Sequence, residues 1–428
     1  MKNEKENVKS VDDILAEDQV GVDDVYGVSD APEADSIDDL LDGLDEVEVA
    51  GDDVDMYEEV EPVEEEHFRV STKRLADALK LSSNVSQGTG RDKVSRSVGM
   101  EVSGSLMTVY MSDSEIYAEK VVPVMNDENL FEGYLSVSHA DISKAIKVCP
   151  TSTVVYKKDG KFFIKLIGGD MEIEDIGVDK KDMCLPSKQE FADESTVPTK
   201  DFSRVLKDFF PLASSSASAA QRRIFFEGNK AYAVYLYSIV EYESDYTFPT
   251  MDISVKNVKS LYPLALGCEG EEIKVLKKDK GSRVLVVGDN FSYSFPLSKF
   301  SLTGQMVSSM GNILGAPKVS VDYGHLNKVS DLSSDLVHSI SRMDFNYTDE
   351  GKVRCLLKTK KADVDFVLVG LESDEVEALA KPVSIQTTLM KTILKVFSQD
   401  TVIGLGLSKD GVGIETERYK AVLYREGQ

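Results

Sequence analysis

Residues 68–81 read Phe68-Arg69-Val70-Ser71-Thr72-Lys73-Arg74-Leu75-Ala76-Asp77-Ala78-Leu79-Lys80-Leu81. The first four alternate apolar and polar side chains, the period of a half-buried strand. The rest place Leu75, Ala78 and Leu79 at helical spacing, with Lys73, Arg74 and Lys80 on another face. A short strand running at once into an amphipathic helix over 72–81 is the prediction. Strands near 95–103, 105–111 and 115–124 follow. The pairing then recurs: Tyr134-Leu135-Ser136-Val137 leads to Ser138, a candidate N-cap, and to a helix over 139–149 carried by Ile142, Ala145, Ile146 and Val148.

The same order returns twice more. Val197-Pro198-Thr199 opens a helix at 200–210, and Met251-Asp252-Ile253-Ser254-Val255 opens another at 256–266, with hairpin strands between and after them. Lys318-Val319-Ser320-Val321 precedes a helix near 326–336, and Pro382–Ile385 precedes one at 387–397. Three copies of a helix–strands–helix–strands unit, each of about 110 residues, define an α+β fold of repeated units. The predicted divisions between units are 67–190, 191–312 and 313–428.

Residues 1–66 are different. They hold 26 Asp and Glu against three lysines, so the remaining 362 residues, with 46 basic and 49 acidic side chains, are nearly neutral although the 428-residue chain carries a formal charge of -26. Isolated Val, Ile and Leu among carboxylates, with no sustained period, predict a disordered acidic tail. Within it Ile37, Leu40, Leu41 and Leu44 fall on one helical face after Ser36, which fits either a fluctuating helix or a short partner-binding motif.

Cys149, Cys184, Cys268 and Cys355 are widely spaced, with no C-x-x-C pair and no His at ligand spacing, so neither a zinc site nor a disulfide framework is expected. His67, His139, His325 and His338 are scattered, and no nucleophile elbow, phosphate loop or H-E-x-x-H occurs. Gly168-Gly169-Asp170 reads as a hairpin turn. No enzyme, no cofactor and no metal is therefore expected. No apolar run is long enough to span a membrane, so the expected location is cytoplasmic with no membrane partner.

In this organisation the sequence resembles the bacterial DNA polymerase III β-subunit family of sliding clamps, in a divergent form of the sort phages encode. The resemblance rests on Phe68-Arg69-Val70-Ser71 before the first helix, Leu135-Ser136-Val137-Ser138 before the second, Asp252-Ile253-Ser254-Val255 in the second unit, and the ending Tyr419-Lys420-Ala421-Val422-Leu423-Tyr424. It implies that each unit packs its two helices side by side under antiparallel sheets, and that two chains form a homodimeric ring of six units that encircles double-stranded DNA, with helices lining the hole. Such a processivity factor takes a DNA polymerase and a clamp loader as partners. For a phage-encoded chain the location would be the host cytoplasm.

The inner helices would then meet DNA through Lys73, Arg74 and Lys80; Lys144 and Lys147; Lys200, Arg204 and Lys207; Lys256 and Lys259; and Lys391 and Lys395. The helix at 326–336 offers only Lys328, opposed by Asp331 and Asp335. Flexible Lys and Arg contacts to phosphate give sequence-blind, salt-sensitive attraction that permits sliding. The same residues also suit an ordinary solvated helix face.

By resemblance, partner peptides would enter a pocket between the second and third units, here Tyr235, Tyr237, Ile239, Val422, Leu423 and Tyr424. The sequence departs from the family in lacking its Gly-His-Arg-Leu-like run and its Met-Pro-Met-like ending. Two other readings fit the same residues: a clamp-fold scaffold recruiting transcription or repair factors to DNA, and a β-rich interaction protein that never encircles it.

Overall fold

A computed structural model describes residues 65–425, apart from 86–91, 114, 126–128, 185–190, 217, 220, 279–282, 299–301, 303, 336–341, 359–362 and 374. Residues 1–64 of the acidic tail, including Ile37–Leu44, lie outside the described residues.

The first unit runs β1 (His67–Ser71), α1 (Thr72–Val85), β2 (Ser97–Ser103), β3 (Leu106–Ser112), β4 (Tyr117–Met125), β5 (Gly133–Ser138), α2 (His139–Ile146), β6 (Ser152–Lys158), β7 (Lys161–Leu166) and β8 (Gly169–Ile173). A one-turn helix, α3 (Lys180–Met183), sits in the segment that follows. The second unit is β9 (Phe191–Pro198), α4 (Thr199–Ser214), β10 (Arg223–Tyr235), β11 (Ser238–Ser254), α5 (Val255–Leu266), β12 (Glu272–Lys278), β13 (Arg283–Val287) and β14 (Phe291–Pro296).

After α6 (Gly304–Leu314) the third unit repeats the order. It comprises β15 (Lys318–Asp322), α7 (Tyr323–Asp335), β16 (Arg342–Tyr347), β17 (Val353–Lys358), β18 (Asp363–Val367), β19 (Val383–Gln386), α8 (Thr387–Leu394), β20 (Val402–Ser408), β21 (Gly411–Glu415) and β22 (Tyr419–Tyr424).

The helices begin where local chemistry lets them. Ser138 Oγ accepts from Asp141 N and Ser254 Oγ from Asn257 N, each at 3.3 Å, and Asp322 Oδ1 accepts from His325 N at 2.6 Å. Each bond satisfies an amide that the first turn leaves without a helical partner. Against prediction, the helix at 139–149 stops at Ile146, and the one at 200–210 continues to Ser214 through Pro211. Helix α6 occupies a segment to which the sequence pattern assigned no element, and the expected division at 312/313 falls inside it.

In the second unit, two long strands do the work of four. Gly228 (φ +61°) breaks the register of β10 where Gly104 (φ +56°) turns β2 into β3 in the first unit. Both backbones enter the left-handed region, where a Cβ is costly.

The sheets cross the unit boundaries. The first is β8-β7-β6-β1-β4, which continues through β14 into β13-β12-β9; β5-β2-β3 joins it through β4. The second runs β10-β11-β22-β21-β20-β15, and the third is β18-β17-β16-β19. Between units, β4 pairs β14 from Tyr117↔Ser294 to Lys120↔Phe291, and β11 pairs β22 from Ser238↔Leu423 to Tyr242↔Tyr419. The core is aliphatic and phenylalanine-rich, including Phe68, Leu75, Phe202, Phe209, Phe345 and Phe397, all buried. Strand alternation and the apolar helix faces supply it together.

Candidate nucleic-acid interface

Within each unit the two long helices lie side by side, α1 with α2, α4 with α5, and α7 with α8. Across unit boundaries α1 contacts α5 and α4 contacts α8. The six helices therefore form one row, α2-α1-α5-α4-α8-α7. Each turns its apolar face inward, as in α4, where Phe202, Val205, Leu206 and Phe209 are buried. An amphipathic helix that buries one face leaves the other to solvent.

That outer face carries most of the predicted cations. Lys200, Arg204 and Lys207 recur at i, i+4 and i+7, share one side of α4, and are exposed. Lys73, Arg74 and Lys80 on α1, Lys144 on α2 and Lys147 just after it are exposed as well; so are Lys256 and Lys395, whereas Lys259 and Lys391 are half-buried.

Several of these charges are held by carboxylates. Lys256 Nζ lies 2.7 Å from Asp113 Oδ2 across the first boundary, and Lys391 Nζ lies 3.0 Å from Asp331 Oδ1 on the neighbouring helix α7. Lys80 is 3.5 Å from Asp77 and Arg204 is 3.9 Å from Asp201. The Lys391–Asp331 pair was not legible in the sequence, where Asp331 counted only against Lys328 on its own helix.

The expected peptide-pocket residues divide between core and surface. Ile239 and Val422 face each other in register, both buried, in a cluster with Phe225, Tyr232 and Val234. Met310 and Ile313 of α6 complete that cluster, and Leu302, Val307, Leu314 and Tyr424 pack against it. Ser309 and Tyr424 share a hydroxyl–hydroxyl hydrogen bond that fixes α6 to the end of β22. Leu423 is also buried and Tyr235 half-buried, whereas Tyr237 is exposed beside Leu236, whose φ of +48° is a strained conformation for a bulky residue. The chain's own inter-unit helix thus covers Ile239 and Val422. The spacing of Val307, Met310, Ile313 and Leu314 was the signal that could have found it.

Two polar clusters brace the row of helices. At the second boundary the Tyr419 hydroxyl donates to Asp208 Oδ2 on α4, and the Tyr419 ring meets those of Phe209, Tyr242 and Phe397. Burial pushes the Asp208 carboxyl above its ordinary value, with the Tyr419 hydrogen bond pulling the other way. At the first boundary Lys120 donates to Asn290 Oδ1 at 2.8 Å, and burial lowers its ammonium below the usual lysine range. Among the described residues no group of His, Cys, Asp or Glu could hold a metal ion, and no helix is long and apolar enough to cross a membrane.

No protein-family model matches the sequence, and neither does any curated protein. The fold is that of DNA polymerase III β sliding clamps at low sequence identity. The DNA polymerase sliding clamp of Bacillus subtilis superposes with a TM-score of 0.69 at 14% identity, covering 85% of this chain and 100% of its own. The Helicobacter pylori β clamp bound to a DNA ligase peptide gives 0.68 at 11%, covering 84% and 99%. The Thermotoga maritima β subunit gives 0.66 at 15%, covering 85% and 99%.

Proposed function

We propose that this protein is a non-catalytic sliding clamp: two copies close a ring around duplex DNA and tether a DNA polymerase to it. The observation that carries the reading is the pattern of used and unused strand edges. At both internal junctions the fourth strand of one unit, or its equivalent in β11, pairs with the last strand of the next. Among the described residues this leaves one half-junction unpaired at each side, β18 in the third unit and β8 in the first, as a head-to-tail ring requires.

The registers extend this. Glu119, Glu241 and Asp365 occupy equivalent places, opposite Tyr110, Tyr232 and Leu356 in their hairpins. Ser292, Lys420 and Asp170 correspond on the other strand, opposite Val287, Glu415 and Lys165. One residue away, Ala118 and Tyr293 at the first junction and Val240 and Ala421 at the second are fully buried. Their counterparts Val364 and Met171 are only half-buried. Ile167 beside β8 is 76% exposed, and Val369 and Leu371 beyond β18 are 62% and 71% exposed. A second copy pairing β18 with β8 would bury Val364 and Met171 as their counterparts are buried, and six more helices would continue the row into a lining for DNA.

Mechanistically, the exposed lysines attract phosphate without reading sequence, and closure of the ring supplies persistence. A clamp loader would open the ring, and the site of action would be the cytoplasm, that of the host if the gene is phage-borne. Retention on nicked circular DNA, with loss on linearisation, is the test; retention unaffected by linearisation would sink the reading. Lys200→Ala with Lys207→Ala should weaken DNA attraction uniformly across sequences and lower the salt slope by about 2.

A scaffold for transcription or repair factors is the second reading. It is favoured by one observation, that α6 covers Ile239 and Val422, the positions expected to receive a polymerase peptide. The Helicobacter clamp carries a DNA ligase peptide, and a peptide partner here would have to displace α6 or use the exposed Tyr237 surface. Stimulation of a cognate polymerase separates the two readings.

A further inference from the structure

The three equivalent junction positions carry the same charge on one strand and different chemistry on the other. At the first junction Glu119 faces Ser292. At the second Glu241 faces Lys420, whose Nζ lies 3.8 Å from Glu241 Oε1 and 3.0 Å from Glu243 Oε2. Carrying that register to the open edges sets Asp365 of one copy opposite the position of Asp170 in the other, and Asp363 opposite that of Glu172.

We infer that the seam between two copies joins carboxylate to carboxylate, so that apolar cover holds it shut while charge opposes it. This rests on the ring reading above. Like charges directly opposite in an antiparallel pair are destabilising, and each ring would contain two such seams.

The groups that face these carboxylates inside one chain reduce the repulsion without removing it. Arg354 Nε donates to both Asp365 oxygens at 2.9 and 3.0 Å, and Lys161 Nζ lies 2.9 Å from Glu172. Lys165 is cross-strand from Asp170 and Lys358 from Asp363, but Lys358 is taken up by Asp344. All four carboxylates are exposed at present, so solvent and salt screen them; pairing the strands would bring them together in a less hydrated edge. The consequence is a ring whose weak points are its two seams rather than its four internal junctions, and whose closure strengthens as salt rises. Surface salt bridges behave the other way, weakening with salt.

The test is sedimentation velocity of the full chain over a concentration series, at about 50 mM and about 500 mM NaCl. Wild-type dimer should tighten at the higher salt. Asp170→Lys, which sets a lysine opposite Asp365, should tighten the low-salt dimer about tenfold and reverse its salt response. Asp170→Lys combined with Asp365→Lys sets lysine against lysine and should return the dimer to wild-type affinity or below. This charge swap leaves the acidic tail unchanged, so tail repulsion cannot imitate it. Asp170→Asn serves as a milder variant, with an intermediate gain. A dimer that weakens with salt and ignores these substitutions would overturn the seam inference and leave the ring standing. A monomer in every variant at both salts would overturn the ring reading itself, and the seam with it.

Discussion

At the first internal junction β4 and β14 meet over four residue pairs and are cross-tied by polar groups: Lys120 to Asn290, Lys256 to Asp113, and Arg283 to the carbonyl of Glu115. At the second, β11 and β22 meet over five pairs, with an aromatic cluster around Tyr419 on one side and α6 on the other. One topology is thus secured in two ways. Apolar burial is insensitive to salt and intolerant of lost volume, whereas a partly exposed ion pair such as Lys256–Asp113 is more tolerant of substitution and more sensitive to salt. The proposed seam would be neither, with carboxylates set opposite one another.

The sharpest way to break this contrast is at Tyr419. Tyr419→Ala removes the shared ring and leaves the Asp208 carboxylate without its phenol donor, so denaturant unfolding should show a loss of about 3–5 kcal/mol. Ile313→Ala, at a buried position of α6, should cost about 2–5 kcal/mol by the same measurement. A neutral result at both sites would mean that the second junction is not held by packing.

Asp208 gives a pH test. Its carboxyl holds a proton more tightly in the folded chain than in the unfolded one. The stability from this group is therefore full below the ordinary carboxylate range and lost as pH rises through its raised folded value. Measured by urea unfolding from about pH 4 to about pH 8, wild type should lose ground to Asp208→Asn as pH increases. A gap that does not change with pH would remove the titration from the account. The smallest effect belongs to the first junction. Lys256→Ala, cutting a half-exposed pair with Asp113, should cost at most about 0.5 kcal/mol and vanish in high salt.

Much of this was legible from local pattern. The helix with Leu75, Ala78 and Leu79, the Ser138 cap, and the division between an acidic first 66 residues and a nearly neutral remainder all follow from neighbours in sequence. Helix α6 is not legible from local pattern, because Gly304 and Gly311 lower helix propensity and no charged side chain marks a polar face. Its helical spacing was present, but what it covers comes from β10, β11 and β22, far away in the chain. The basic residues were legible as a set and not as individuals: that Lys391 meets Asp331 and Lys256 meets Asp113 depends on which helix and which unit become neighbours.

The sequence by itself determined the repeat, the two-faced helices and the location of the acidity, since these are periodicities and sums over nearby residues. The tertiary structure alone decided which lysines are held by carboxylates, that α6 covers the second junction, and which strand edges are paired and which stay open. Those outcomes depend on register between distant strands. A shift of one residue exchanges the faces of a strand, so burial of the whole sheet, rather than any local pattern, selects among the alternatives.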